Sequence, residues 1–286
     1  MAELELRRPA VAGSFYAGDL KSLNKQIENC FLHKLGPSKI PSISLKKEDR
    51  KIIGLISPHA GYMYSGPVAA HGFYKIAIDG KPDTIIILGP NHRGFGADVS
   101  IMTKGKWKTP LGELEIDKDV AENILNNSEM IKDDYKAHQY EHSIEIQLPF
   151  IQYIFGNDIK FVPICMTRQD VNTDIEIARA ICSAIIDRNI LLIASSDFTH
   201  YESQKYAQNM DRQAIKTILE FNSEKLYDII YQQNLTICGP GPITTMLIAC
   251  RTLGAKNAKL LKYATSGDIT RMYEQVVGYV SIIIQK

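Results

Sequence analysis

Short apolar runs recur along the chain, and they constrain its fold more than any other feature. They lie at residues 51–57, 83–89, 160–166, 189–195 and 278–284. All are rich in Ile, Val and Leu without clean alternation of apolar and polar residues, which is typical of strands buried on both faces. A sheet covered on both sides needs helices above and below it. The runs therefore constrain the fold to a layered α/β architecture.

Longer amphipathic segments supply the predicted helices. They lie at residues 20–33, 67–78, 175–188 and 243–254, with apolar residues near helical spacing. The stretch 35–51 is rich in Pro, Ser and charged residues, and we interpret it as a connection from the first helix into the first core strand. No repeat or low-complexity tract interrupts the pattern. We expect one domain.

The overall charge excludes some classes of partner. The chain has 286 residues, with 33 Lys and Arg against 32 Asp and Glu, and a net charge of +1. Such a chain has no global field that would attract nucleic acid or an anionic membrane. We expect neither as a partner, and the sequence predicts no particular oligomeric state.

The cysteines and the N-terminus indicate the compartment. Five scattered cysteines without a C-x-x-C pair argue against a disulfide framework and against a zinc ribbon. Residues 1–16 carry charges where a signal peptide needs an apolar segment, and the apolar runs elsewhere are too short to span a bilayer. These features predict a cytoplasmic protein.

Histidines follow the first two core strands. The first run continues into "SPHAGYMYSG" with His59, and the second breaks at Gly89 and Pro90 into a loop with His92. The carboxyl ends of strands in an open α/β sheet form the crevice where ligands bind. Each histidine alone could cap a turn. Their matching positions favour convergence at one site if the two strands are neighbours.

A third strand ends in a denser polar cluster. The stretch "SSDFTHY" after the run at 189–195 contains Asp197 and His200. Three strand ends that each bring a histidine to one edge fit a metal site or a general acid/base site. A Ser-His-Asp hydrolase is the competing interpretation, but Ser195 and Ser196 lack the G-x-S-x-G nucleophile elbow.

The segment "AHQYEHSIEIQLPFI" at 137–151 is interpreted as a helix. His138 and His142 are four residues apart and would share one face, with Glu141 beside them. The order of residues is not that of the H-E-x-x-H zinc motif. Two interpretations stay open: a charged first helical turn, or groups that contact the substrate or support ligands.

Cys238 lies in the glycine-proline stretch "TICGPGPI", just before a helix predicted from about residue 243. The positive end of the helix dipole favours a thiolate, which is the form that binds metals. We therefore predict that Cys238 is the reactive cysteine. Cys250, on the apolar helix behind it, is expected to be an inert core residue.

Seven motifs in this order carry a resemblance to a known family. They are "AGSFY", "SPHAGYMYSGPVAAHGF", "ILGPNHRG", "WKTPLGELEID", "EHSIEIQLPF", "SSDFTHY" and "TICGPGPI". Together they span nearly the whole chain, which resembles the Memo family, named for a mediator of cell motility. That family is similar in structure to the class III extradiol dioxygenases, which use non-haem iron(II). The resemblance implies a three-layer α/β/α single domain over residues 1–286, around a mixed, largely parallel sheet.

The resemblance also implies a metal site. The family's two histidines and one cysteine carry over to His59, His92 and Cys238. The dioxygenases have a carboxylate where this chain has a thiol, and a softer ligand set suits several metals. Iron(II) is the first expectation, with copper or zinc as alternatives.

The remaining site residues are expected around that metal. The dioxygenase catalytic histidine matches His200, and we place Asp197 and His142 with it as the catalytic set. Residues expected to contact the substrate or support the ligands are Glu141, Tyr62, Tyr64 and Arg93. Two functions follow from the resemblance. One is a metal-dependent redox or dioxygenase-like enzyme acting on a small molecule, and the other is a non-catalytic module that binds a peptide or phosphopeptide.

Overall fold

The computed structural model describes residues 6–46, 50–186 and 188–286. Its strands are β1 (Leu6–Arg7), β2 (Ile52–Ser57), β3 (Thr84–Pro90), β4 (Val99–Ile101), β5 (Lys106–Thr109), β6 (Gly112–Glu115), β7 (Ile131–Asp133), β8 (Lys160–Met166), β9 (Ile190–Ser195), β10 (His200–Glu202), β11 (Asn257–Thr265) and β12 (Val276–Gln285). Its helices are α1 (Leu20–Leu32), α2 (Tyr62–Asp79), α3 (Lys118–Asn126), α4 (Tyr135–His138), α5 (Leu148–Phe155), α6 (Val171–Ala184), α7 (Gln204–Leu219), α8 (Ser223–Gln233), α9 (Pro240–Thr252) and α10 (Ser266–Thr270). A 3₁₀ turn at Glu145–Gln147 precedes α5.

The central sheet is mixed, with a parallel middle. Its order is β10-β12-β2-β9-β3-β8-β4-β7, and β11 pairs with β12. The pairs β2–β9, β9–β3 and β3–β8 are parallel, whereas β12 and β4 join this core antiparallel. The sheet confirms the predicted fold class. The strands before His59 and His92, β2 and β3, are not direct neighbours, because β9 lies between them and pairs with both.

Helices cover both faces of the sheet. Side chains alternate between the faces along a strand, so Gly54 of β2 lies against Cys250 of α9, while the next residue, Leu55, lies against Gly72 of α2. Helices α1 and α5 pack beside α2, and α6 and α8 pack beside α9. Every residue of β2, β3 and β9 is buried, which explains why their sequences show no polar alternation.

The predicted helices are close to the observed ones, with shifted ends. The helix predicted at 175–188 is α6, which begins at Val171 because Asp170 caps it: its carboxylate accepts a hydrogen bond from the Thr173 N–H at 3.0 Å. Residue 187 of that prediction lies outside the described residues, as do residues 1–5 of the N-terminal segment and 47–49 of the predicted connection. Within the described part of the chain, no helix combines the length and apolarity needed to cross a membrane.

The single helix predicted over 137–151 is wrong. Helix α4 ends at His138, and α5 begins only at Leu148. The guanidinium of Arg7 donates hydrogen bonds to the backbone carbonyls of His138, at 3.0 Å, and of Glu141, at 2.6 Å. A continuous helix would need both carbonyls for its own i→i+4 bonds. His138 is therefore buried in the core against Trp107, away from His142.

Candidate metal centre

Three side chains from separate loops converge where the parallel strands end. His59 follows β2, His92 follows β3, and Cys238 precedes α9. Their ligand atoms all lie within 4.8 Å of one another, and the ring centroids of His59 and His92 are 5.1 Å apart. Two imidazoles and a thiol at this spacing could hold one metal ion.

Hydrogen bonds fix the tautomer of His59. The Ser195 hydroxyl lies 2.6 Å from the Ser143 carbonyl, which can only accept, so the hydroxyl hydrogen points there. Ser195 Oγ must then accept from His59 Nδ1 at 2.9 Å, as it does from Gln147 Nε2 at 2.8 Å. His59 is thus protonated on Nδ1, and its Nε2 lone pair faces Cys238 Sγ at 3.2 Å. Burial lowers the pKa of His59 well below its usual value, which keeps that lone pair free of a proton.

The Glu141 carboxylate fixes the tautomer of His92. Its Oε1 lies 2.9 Å from His92 Nδ1, and its Oε2 accepts from the His92 backbone N–H at 2.6 Å. A carboxylate can only accept at its ionised oxygens, so His92 is protonated on Nδ1 and Nε2 is the nitrogen left for a metal.

Glu141 orients His92 and is itself poorly suited to bind a metal. Besides His92, the backbone N–H groups of His142 and Ser143 both donate to its Oε1 at 2.8 Å. Burial would raise the pKa of Glu141, but the hydrogen bond from His92 and the neighbouring donors outweigh burial and lower it to about 2. Ligand atoms of His92, Glu141 and His142 also fall within 4.8 Å of one another. The Glu141 carboxylate already accepts four hydrogen bonds. Glu141 and His142 therefore support the group of His59, His92 and Cys238 through hydrogen bonds and packing.

The thiol of Cys238 differs from the sequence expectation. Burial, followed by the charge of Asp197, raises the pKa of Cys238 above that of a free thiol. The expected thiolate is therefore not favoured by the protein alone, because desolvation outweighs the dipole of α9. The Asp197 N–H donates to Cys238 Sγ at 3.1 Å, and this bond positions the sulfur.

Gly239 permits the close approach of the cysteine loop to β9. A Cβ atom at this position would lie 2.8 Å from the Ser195 carbonyl oxygen and 2.8 Å from Ser196 Cβ. The Gly239 N–H donates to Ser196 Oγ at 3.0 Å, which fixes the loop against the strand end. The glycine next to the cysteine is thus explained by sterics.

His142 lies in the site without the helix that was predicted to bring it there. Its ring stacks on His92 with centroids 4.6 Å apart, and Phe15 packs against it edge-on at 5.0 Å. Burial lowers the pKa of His142 to about 4, although Glu141 opposes that shift. His142 is therefore neutral at physiological pH.

Asp197 and His200 lie beside the converged ligands. Asp197 Oδ1 accepts from the His59 backbone N–H at 2.8 Å, and burial raises the pKa of Asp197 to about 6. His200 Nδ1 donates to the Thr236 carbonyl at 2.8 Å, so its Nε2 is the nitrogen that can accept a proton. His200 does not belong to the group of three ligands.

A cavity of about 650 Å³ opens over these residues. Its walls include His59, His92, His142, Asp197, His200, Tyr64 and Arg93. Tyr62 does not line it. That side chain is buried, donates to the Ile146 carbonyl at 2.8 Å and packs on Phe150, so the expected substrate contact at Tyr62 is not present.

Sequence reasoning missed the buried ion pair that supports the site. Arg7 and Glu145 form a salt bridge with both side chains fully buried. Glu145 also accepts from the Tyr16 hydroxyl at 2.6 Å and from the Ala10 N–H at 2.7 Å. This pair ties the N-terminal segment to the loop that carries Glu141. The two partners are 138 residues apart, and neither the Arg7-Arg8 pair nor Glu145 stands out by local pattern.

Comparison with known proteins decides the family. The family model described as Memo-like protein matches residues 7–283. The chain belongs to the Memo family. A MEMO1 family protein from Methanopyrus kandleri is 45% identical over 282 residues, covering 98% of this chain and 99% of that protein. One from Sulfurisphaera tokodaii is 48% identical over 280 residues, covering 97% and 98%.

A solved structure shares the fold of this Memo-family chain. An uncharacterized protein from Escherichia coli K12 superposes with a TM-score of 0.54 at 12% identity, covering 81% of this chain and 99% of that one. At this identity the likeness concerns the fold alone. It agrees with the mixed sheet and its two helical layers.

Proposed function

We propose that this Memo-family protein is a metal-dependent redox enzyme of the dioxygenase-like type, with the metal bound by His59, His92 and Cys238. One observation carries the proposal: a ring nitrogen of His59, one of His92 and the Cys238 sulfur lie within 4.8 Å of one another, and both imidazoles are held with Nδ1 protonated, by Ser195 and by Glu141, which leaves Nε2 as the ligand nitrogen. Hydrogen-bonded partners that fix the tautomer of a ligating histidine are a hallmark of built metal sites.

The donor set limits the metal and its chemistry. Two neutral imidazoles and a thiolate suit iron(II) first, with copper or zinc as alternatives. A bound redox-active ion would supply electrons to oxygen and Lewis acidity toward a substrate. Only three protein ligands are present in this group, and a catalytic site keeps positions free of protein ligands.

The residues around the metal would transfer protons and hold the ligands in position. His200 Nε2 is available to take or give a proton at the cavity wall, since Nδ1 is held by Thr236. Asp197 holds the backbone of His59 and the sulfur of Cys238 at once. The His142 ring stacks on His92, and Phe15 packs edge-on against His142, so that His142 covers one face of the His92 ring.

A peptide-binding module is the second candidate. The observation that favours it is the rim of the cavity, where Met63, Tyr201 and Met272 are exposed apolar side chains. Capture of a phosphopeptide would need several cations. Arg93 is the single Lys or Arg among the described residues that line the cavity.

Metal content measured beside oxygen uptake tests the proposal. Protein purified without added metal is analysed for iron, copper and zinc, and oxygen uptake is followed with a reductant present. We expect Cys238→Ser to lose both metal and uptake, and His200→Ala to keep metal but lose uptake. Cys182→Ser, a partly buried cysteine outside the site, is the control. Wild-type protein with bound metal and only background uptake would favour the binding module, and metal loss in His200→Ala would make His200 a ligand.

A further inference from the structure

Arg93 has a free guanidinium end at the mouth of the cavity. Its Nε donates to the Tyr140 carbonyl at 3.2 Å, whereas no carboxylate of the described residues forms an ion pair with it. The terminal Nη1 and Nη2 groups therefore have no partner among the described residues. Arg7 is a contrast, because its terminal nitrogens bind Glu145 and the Glu141 carbonyl.

The loop that carries Arg93 is held in place. Asn91 Oδ1 accepts from the backbone N–H groups of Arg93, at 3.1 Å, and Gly94, at 3.0 Å. The Asn91 amide donates to the Phe95 carbonyl at 2.8 Å and to Thr167 Oγ1 at 2.9 Å. The backbone of Arg93 is thus fixed beside His92, and the side chain is anchored at Nε on the cavity lining, which leaves the two terminal nitrogens available to a ligand.

The rest of the cavity is lined by polar and apolar side chains, with Ser14, Ser266, Thr270 and Gln275 among the polar ones. Its apolar wall consists of Phe15, Met63, Tyr64, Met272, Val277 and Tyr279. A volume of about 650 Å³ is in the range of sites that enclose small organic ligands. The lining holds one guanidinium, that of Arg93, and one carboxylate, that of Asp197, whose Oδ1 accepts from the His59 backbone N–H. The guanidinium and the apolar wall together match an amphipathic ligand with one anionic end.

We propose that the cavity selects an amphipathic monocarboxylate, whose carboxylate is bound by the terminal nitrogens of Arg93 and whose apolar body lies against Phe15 and Met63. A planar carboxylate matches the two parallel N–H groups of a guanidinium. A single cation balances one negative charge, whereas a phosphate dianion would be left partly uncompensated. The inference rests on the proposed function, because it takes the cavity as the substrate site.

Binding of matched probes tests the inference. Phenylacetate, phenylacetamide and benzyl phosphate are titrated by calorimetry into the full-length protein, both as purified with its metal and after chelation and desalting. We expect phenylacetate to bind about tenfold more tightly than the amide in both forms, as a charge-assisted pair implies. Arg93→Gln should abolish that preference, and Arg93→Lys should retain part of it. Arg251→Gln is the matched control, because Arg251 is exposed in the last turn of α9 and outside the cavity.

Several results would overturn the inference. These are equal affinity for acid and amide, a preference that survives Arg93→Gln, and no binding of phenylacetate in the millimolar range. A preference seen only with metal present would assign the carboxylate to the metal. Tighter, Arg93-dependent binding of benzyl phosphate would replace the monocarboxylate by a phosphate ester. Since the metal-free arm needs neither metal nor oxygen, its failure is distinct from failure of metal binding or oxygen uptake.

Discussion

Replacement of Glu141 by Gln tests the support of the metal site most directly. The carboxylate accepts four hydrogen bonds: two from His92, one from the His142 N–H and one from the Ser143 N–H. A glutamine has one accepting oxygen. If the glutamine oxygen takes the Oε1 position, it keeps three of the donors. The amide nitrogen then replaces Oε2, so the backbone N–H of His92, which lies 2.6 Å from Oε2 in the wild type, loses its acceptor.

Two independent estimates agree on how much free energy of unfolding Glu141→Gln should cost. A buried donor left without a partner costs about 1–3 kcal/mol, and more when the lost partner was charged. The decrease of the Glu141 pKa from 4.5 to about 2 corresponds to about 3 kcal/mol of stability at neutral pH. We therefore expect Glu141→Gln to reduce the free energy of unfolding by about 3 kcal/mol at pH 7.

The same reasoning gives a pH dependence with a definite sign. The folded-state pKa of Glu141 is depressed, so its stabilisation is complete above the unfolded-state value of 4.5 and is lost as the pH falls toward about 2. Glutamine does not titrate. The difference between wild type and variant should therefore shrink by about 1 kcal/mol at pH 4 and by about 2 kcal/mol at pH 3.

Urea unfolding of metal-free protein at pH 7 and pH 4 measures both effects. The control is Glu113→Gln, an exposed carboxylate 4.0 Å from Lys106 Nζ, for which we expect a change within about 0.5 kcal/mol. The reasoning is refuted if Glu141→Gln unfolds like the control at pH 7, or if its deficit stays constant between the two pH values.

Three further outcomes are expected. Metal affinity should rise about tenfold per pH unit between pH 6 and 8, because binding displaces the proton of the Cys238 thiol, whose pKa burial raises; a flat profile in competition titrations would contradict this. Ser195→Ala should weaken metal binding about 10–100-fold by releasing the tautomer of His59, with little loss of fold by circular dichroism; unchanged affinity would remove Ser195 from the support. Arg7→Met should destabilise the protein by about 3–5 kcal/mol because it leaves Glu145 buried and unpaired, while adding Glu145→Gln should restore part of that loss in urea unfolding; equal stability of the single and double variants would refute the ion-pair account.

Local patterns in the sequence determined the sheet and the places where it ends. The apolar runs at 51–57, 83–89 and 189–195 correspond to β2, β3 and β9, because strands buried on both faces tolerate little else. The turns after them carry His59 and His92 at the same edge. Their convergence was predicted on the condition that the two strands are neighbours. In the structure β9 lies between β2 and β3, and the loops after these strands still meet at one edge of the sheet.

Tertiary contacts overrode two predictions made from local sequence, one about a helix and one about a thiolate. The segment 137–151 has a helical pattern, yet Arg7 binds two of the carbonyls that a helix would use, from 131 and 134 residues away. The thiol of Cys238 lies before a helix, yet burial beside Asp197 outweighs the dipole. In both cases the free energy of a long-range interaction is larger than that of the local preference.

The sequence by itself therefore determined the family, the layered architecture and the identity of the converging residues His59, His92 and Cys238. Only the tertiary structure decided which ring nitrogens carry protons, that Glu141 is saturated by donors, and that Tyr62 lies in the core instead of the cavity wall. The physical reason is the sequence distance over which each kind of interaction acts. Periodicity and turn residues report interactions within a few positions, whereas protonation, tautomer and burial depend on groups brought together from opposite ends of the chain.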